Sequence, residues 1–219
     1  MDQLLDLLLR LDEKLAEFVD LHGEWVYGLI FLVVFIETGL VVMPFLPGDS
    51  LLFAVGALAA TGILDVRLAA LLLVVAAIAG DAVNYAIGHY IGPRIFRAED
   101  RRGIWHRMLN HDHLQKAHEF FERYGGKAIV LGRFVPIIRT FVPFVAGCGS
   151  MSYPQFALYN VIGGLLWVAS CVGAGYAFGN VPLVKANFEF VVIGIVAVSL
   201  LPFVWGFLAE RRRRAKSLV

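Results

Sequence analysis

The sequence predicts an all-α integral membrane protein, with transmembrane helices arranged around two inverted re-entrant helical hairpins that meet near the bilayer midplane. Three observations lead there. Of the 219 residues, 59% are apolar and only 17% are charged, and the mean hydropathy is +0.73, whereas soluble domains carry about 25% charged residues. Residues 25–43, 66–91, 153–178 and 188–208 are apolar runs near or above the roughly 20 residues that cross a hydrocarbon core. Finally, Glu37, Asp49, Arg133 and Arg139 lie inside apolar sequence and close to Pro44, Pro47, Pro136 and Pro143. An ionised side chain at the bilayer centre costs about 2.5–3.5 kcal/mol on insertion scales. Apolar residues are cheaper there, so the charges point to a buried polar site that handles an ion, a proton or an anionic substrate.

The chain begins with an acidic segment. Residues 1–24 carry seven acids against Arg10 and Lys14, while Leu4, Leu8, Leu11, Leu15 and Phe18 recur at helical spacing. This pattern predicts an amphipathic helix lying on the membrane. It lacks the basic start and compact apolar run of a cleavable signal peptide.

The membrane domain is expected over residues 25–208. Its first hairpin spans about 25–62 and is broken at Pro44, Pro47 and Gly48. A full span over 66–91 leads to a basic loop, 93–126, which holds a surface helix. There Leu114, Ala117, Phe121 and Tyr124 share one face, and Gly125-Gly126 ends the helix. The second hairpin, 127–147, contains Pro136 and Pro143, which interrupt helical hydrogen bonding. Spans over 153–178 and 188–208 follow, then a basic tail, 209–219, with Arg211, Arg212, Arg213, Arg214 and Lys216.

Charge sets the expected topology. Basic segments beside membrane spans stay in the cytoplasm, which puts the 93–126 loop and the tail inside. An even number of crossings must then separate them, so 127–147 enters and returns on one side. Non-helical backbone at membrane depth is tolerated where protein or a wet cavity surrounds it. The two breaks also resemble each other: Pro44-Phe45-Leu46-Pro47-Gly48 aligns with Pro143-Phe144-Val145-Ala146-Gly147. Matching Pro/Gly interruptions in two halves are the pointer to a transporter site built from inverted repeats.

Glu37 and Asp49 are candidates for proton exchange, because desolvation raises the pKa of a carboxylic acid. Their alternative role is to cap a half-helix or pair with an arginine. Arg133 and Arg139 keep their charge and suit phosphate oxygens in bidentate geometry; pairing with Glu37 and Asp49 alone is the alternative. Asp81 and Asn84, after Gly80, are candidate supporting residues that either join the site or hydrogen-bond a hairpin backbone. Tyr159 and Asn160 are expected as polar groups used in packing. His111, His113 and His118 lack the spacing and further ligands of a metal centre, so neither a metal nor a cofactor is expected. No G-x-S-x-G, H-E-x-x-H or P-loop pattern is present, and enzyme chemistry is not expected. The basic tail suits topology and anionic lipid better than nucleic acid.

The motifs Phe35-Ile36-Glu37-Thr38-Gly39, Pro44-Phe45-Leu46-Pro47-Gly48-Asp49-Ser50, Gly80-Asp81 and Gly132-Arg133-Phe134-Val135-Pro136-Ile137-Ile138-Arg139-Thr140 together resemble the DedA family of bacterial inner-membrane proteins. That family is part of the wider SNARE-associated Golgi, or VTT-domain, group. The likeness runs from about residue 25 to 208. It implies facing re-entrant hairpins and transport linked to the proton motive force. Carried over by motif, Glu37, Asp49, Arg133 and Arg139 are the functional polar residues. Bacterial members are associated with recycling undecaprenyl phosphate, and eukaryotic relatives with lipid scrambling. The reading that follows is a multi-pass flippase whose partners are protons and membrane lipid, above all a polyprenyl phosphate. A non-transporting membrane organiser and a scramblase without proton coupling are the alternatives, and the sequence leaves a homo-oligomer open.

Overall fold

A computed structural model describes residues 11–40, 48–97, 111–149, 151–182 and 184. All the regular structure among them is helical: α1 (Leu11–Gly39), α2 (Gly48–Ala60), α3 (Val66–Arg97), α4 (His111–Tyr124), α5 (Lys127–Gly132), α6 (Pro136–Cys148) and α7 (Tyr153–Gly179). Pro44, Pro47, the expected 188–208 span and the 209–219 tail lie outside the described residues.

Among the described residues, two helices are long and apolar enough to cross a bilayer, with apolar stretches Val66–Ile91 and Tyr153–Gly179. These coincide with the spans expected from hydropathy. Each buries only a third of its most apolar window. Leu71 on α3 and Leu158 and Leu165 on α7 are more than half exposed. A helix that is apolar on its outer face as well as its packed one is suited to lipid.

Three boundaries differ from the sequence expectation. One helix runs through residues 24 and 25, because no proline separates Trp25–Gly39 from the helix that precedes it and Gly23 is tolerated within it. Helix α3 passes Pro93 and ends at Arg97. In 127–147 the chain turns at Arg133–Val135, and Pro136 opens α6 at its first position, where a missing N–H costs nothing. Pro143 is carried inside α6 rather than breaking it.

The chain divides into two compact units. One comprises Met1–Val26, Pro47–Val66 and Cys171–Val219; the other comprises Tyr27–Leu46 and Arg67–Ser170. In the first unit α2 packs on the last turns of α7 through small residues. A Cβ on Gly175 would strike the Phe53 carbonyl, and one on Gly179 would lie 2.9 Å from Ala57. Phe53 and Phe178 close the contact, their ring centroids 5.6 Å apart. Small residues that admit close backbone approach are how helices associate when lipid removes the hydrophobic incentive.

In the second unit α3 is the central post. Its buried positions Leu73, Ala77, Gly80, Asp81, Asn84 and Gly88 follow helical spacing. Gly80 meets the end of α1, where a Cβ would collide with Thr38 Oγ1. Gly88 meets α6, where a Cβ would collide with the Phe144 carbonyl, and Gly147 returns the contact against the Tyr85 carbonyl. Tyr85 donates to the Met151 carbonyl at 2.6 Å. Around this seam lie Phe141, Phe144, Val145 and Phe156, joined by Leu114 and Ala117 of α4. Helix α4 thus buries the face read from its sequence, although Tyr124 is exposed and packs on Phe120 instead. Gly125 ends α4 at φ 54°, a left-handed conformation open to glycine.

Candidate functional site

The site belongs to the second unit and is built from five segments. Helix α1 ends in Glu37 and Thr38; α3 presents Asp81 and Asn84 one turn apart; the turn after α5 carries Arg133; and the first turns of α6 carry Arg139 and Thr140. Helix α7 completes it. Phe156, Asn160, Gly163, Gly164 and Trp167 are buried at spacings of three and four, so one face of that helix delivers an amide and an indole.

Arg133 is 4% exposed. Its Nη2 lies 2.6 Å from Asp81 Oδ2 and donates to Asn160 Oδ1 at 2.6 Å and to the Ala77 carbonyl at 3.4 Å. Its Nε is buried without a hydrogen-bond partner. A Cβ on Gly163 would lie 3.2 Å from that Nε and from Val130 Cα, so the absence of a side chain at this glycine lets the arginine pack directly against α7. Asn160 Nδ2 in turn donates to the Ile78 carbonyl at 3.0 Å.

Arg139 forms an ion pair with Glu37, whose side chain is 1% exposed. The six-residue separation of the two arginines brings them to one place because the chain turns between them. Both guanidiniums lie against the same indole: Cζ of Arg133 is 5.7 Å and Cζ of Arg139 is 5.2 Å from the Trp167 ring centroid. Cation–π contacts of this kind contribute about 2 kcal/mol or more when desolvated.

Asn84 braces the arrangement. Its Nδ2 donates to the Thr38 carbonyl at 3.1 Å and to the Thr140 carbonyl at 2.8 Å. These carbonyls belong to the residues that directly follow Glu37 and Arg139, so one amide sets the separation of the two halves of an ion pair. Thr38, Asp81, Arg133, Arg139, Thr140 and Trp167 line a cavity of about 10 Å³, the room a single water needs.

The four charged residues singled out from sequence therefore divide. Glu37, Arg133 and Arg139 come together. Asp49 is exposed in the first turn of α2 in the other unit, where the helix dipole suits an acid. Asp81, ranked as supporting, holds Arg133 directly, and Asn84 bonds the backbone carbonyls of Thr38 and Thr140. Asn160 and Trp167 were not visible as site residues. Their signal was the spacing of Asn160, Gly163, Gly164 and Trp167, which sets an amide, two glycines and an indole on one face of an otherwise apolar span. Among the described residues no group of histidine, cysteine or acidic side chains is placed to hold a metal ion.

The profile of the VTT domain matches residues 46–177. The chain is 50% identical over 216 residues to Protein DedA of Escherichia coli K12, covering 98% of this chain and 96% of that one. It is 46% identical over 182 residues to a membrane protein of Mycobacterium tuberculosis H37Rv, covering 82% and 78%. With inner membrane protein YqjA of Escherichia coli K12 it shares 36% over 159 residues, covering 72% and 69%. No solved structure matches the chain. The extent of these matches, with the membrane-length helices and the buried charges between them, makes the protein a member of the DedA family of VTT-domain membrane proteins, similar to DedA itself.

Proposed function

We propose that the protein is a transporter linked to the proton motive force, carrying a lipid phosphate between the leaflets of a bacterial inner membrane. Undecaprenyl phosphate or a close relative is the cargo. Arg133 and Arg139 bind its phosphate, Glu37 and Asp49 exchange protons, and the polyprenyl tail stays in lipid through a lateral opening. No bond in the cargo is made or broken, so the protein is a carrier and not an enzyme. Segments 25–62 and 127–147 work as inverted re-entrant hairpins, and the basic tail remains cytoplasmic.

The observation that carries this reading is the pair of buried guanidiniums on Trp167, lining one cavity, each neutralised by a carboxylate. Guanidinium and phosphate are matched in charge and in bidentate geometry. Buried ion pairs contribute little net stability compared with apolar packing, which favours a use in function. A cavity with room for one water admits no phosphate, so this arrangement corresponds to a closed state whose ion pairs open when cargo enters.

The test is reconstitution in proteoliposomes, following undecaprenyl phosphate between leaflets with and without an imposed proton gradient. Gradient-sensitive movement that disappears in Arg133→Ala and Arg139→Ala is expected. Wild-type rates in both variants would sink the assignment.

The completeness of the two ion pairs also favours a second reading, in which the charges only lock helices together in a membrane organiser. That reading predicts that Glu37→Arg combined with Arg139→Glu restores function, whereas a proton-coupled phosphate carrier stays inactive.

A further inference from the structure

Nη2 and Nε of an arginine form one side of the guanidinium, a fork that a phosphate grips with two oxygens. On Arg133 this fork is half used. Nη2 holds Asp81 and Asn160, while Nε is buried with no hydrogen-bond partner, packed against Gly163. Asp81 is 3% exposed and lines the same cavity as both arginines. It therefore stands where an anion would sit, yet fills only part of that place.

Charge balance extends the argument. With Glu37 and Asp81 ionised, the two acids and two arginines sum to zero. A phosphate monoester brings about −1.5 to −2 charge at neutral pH. Uncompensated charge in a water-poor interior is strongly unfavourable. Both arginines can turn to the phosphate with the site still near neutral only if both acids become protonated.

We propose that Asp81 is the resident anion that a substrate phosphate displaces from Arg133, leaving as a neutral carboxylic acid. This deepens the transport reading above and rests on it. A proton from water adds to the Asp81 carboxylate, the ion pair to Arg133 opens, and two phosphate oxygens take Nη2 and Nε. Glu37 does the same at Arg139. Release reverses the exchange: Asp81 gives up its proton and recaptures Arg133, which drives the phosphate out. The charged group bonded to Asp81 is Arg133, and Arg139, held by Glu37, lines the same cavity; Thr38, Thr140 and Trp167, which complete the lining, are neutral.

The experiment measures binding of undecaprenyl phosphate, and separately of inorganic phosphate, to the purified full-length protein in detergent micelles between pH 6 and 8.5. Wild type, Asp81→Asn and Asp81→Glu are compared at each pH, so the ligand's own titration is common to all three. Asp81→Asn is expected to bind at least tenfold more tightly than wild type at pH 8.5 and to show a shallower pH dependence. Asp81→Glu keeps the wild-type dependence. The same pattern with inorganic phosphate identifies the free anion as sufficient; its restriction to the lipid makes the polyprenyl tail part of recognition. A folded Asp81→Asn that binds no better than wild type at pH 8.5, or keeps its slope, overturns the exchange but leaves the transport reading standing. Absence of binding by folded wild type overturns both. Should Asp81→Asn fail to fold, the infrared difference spectrum of wild type on adding undecaprenyl phosphate decides. Two new protonated-carboxyl bands support the exchange, and one or none refutes it.

Discussion

Arg133 donates to Asn160 across 27 residues of sequence, at 2.6 Å and with both side chains buried. The amide is used at both ends, since its Nδ2 reaches the Ile78 carbonyl of α3. Arg133 is thereby suspended between α3 and α7 with its charge facing Asp81. Asn160→Ala removes an acceptor from a buried cation, a loss of about 1–3 kcal/mol. A lower Tm in detergent micelles and slower transport are both expected. An unchanged Tm would show that the amide does not support the arginine.

The Glu37–Arg139 pair separates stability from transport. Breaking a buried pair leaves one charge uncompensated and costs about 3–5 kcal/mol, whereas replacing both partners with apolar residues of similar volume is often neutral. Glu37→Leu and Arg139→Met should each destabilise the protein by about that amount, and the double variant should recover most of it. Transport assays should find all three inactive. Activity in the double variant would assign the pair to the fold alone.

Asn84 controls the separation of the same pair through the Thr38 and Thr140 carbonyls. Asn84→Ala loses two buried hydrogen bonds, at about 0.5–1.5 kcal/mol each. Asn84→Asp should be worse, because it sets an acceptor-only carboxylate against two carbonyl oxygens. Chemical denaturation in micelles checks the order, which reverses if the position tolerates an acid.

The glycines of the helix seams are ranked by what a methyl group meets. Gly88→Ala and Gly147→Ala drive Cβ into backbone carbonyls of Phe144 and Tyr85, which should cost about 1–3 kcal/mol or more by overpacking. Gly28 in α1 and Gly173 in α7 have nothing within 4 Å of an added Cβ. Alanine there should stabilise by roughly 0.5–1 kcal/mol through helix propensity. Thermal unfolding of the four single variants tests the ranking.

Much of the helical layout was legible in the sequence because its causes are local. The ends of the 66–91 and 153–178 spans follow from hydropathy, the α4 face from spacing, and the stop at Gly125 from a backbone that only glycine adopts readily. Pro143 was misleading for a local reason too. Proline lowers helix propensity, but α6 is held on both sides of Pro143 by packing of Phe141, Phe144 and Val145 in the core.

The sequence by itself determined that this chain belongs in a membrane and that Glu37, Arg133 and Arg139 are costly charges set in apolar stretches, since apolar excess and the cost of buried charge are properties of composition and position. Only the tertiary structure decided the partners. Glu37 and Arg139 are joined across a hundred residues, Arg133 takes Asp81 rather than the nearer-ranked Asp49, and Asn160 and Trp167 enter from a span that reads as ordinary packing. The physical reason is that a pairing depends on which helix faces meet. Here that is decided by glycine contacts that let α1 and α6 close on α3: Gly80 admits Thr38 beside Asp81 and Glu37, and Gly88 and Gly147 admit the backbones of Phe144 and Tyr85.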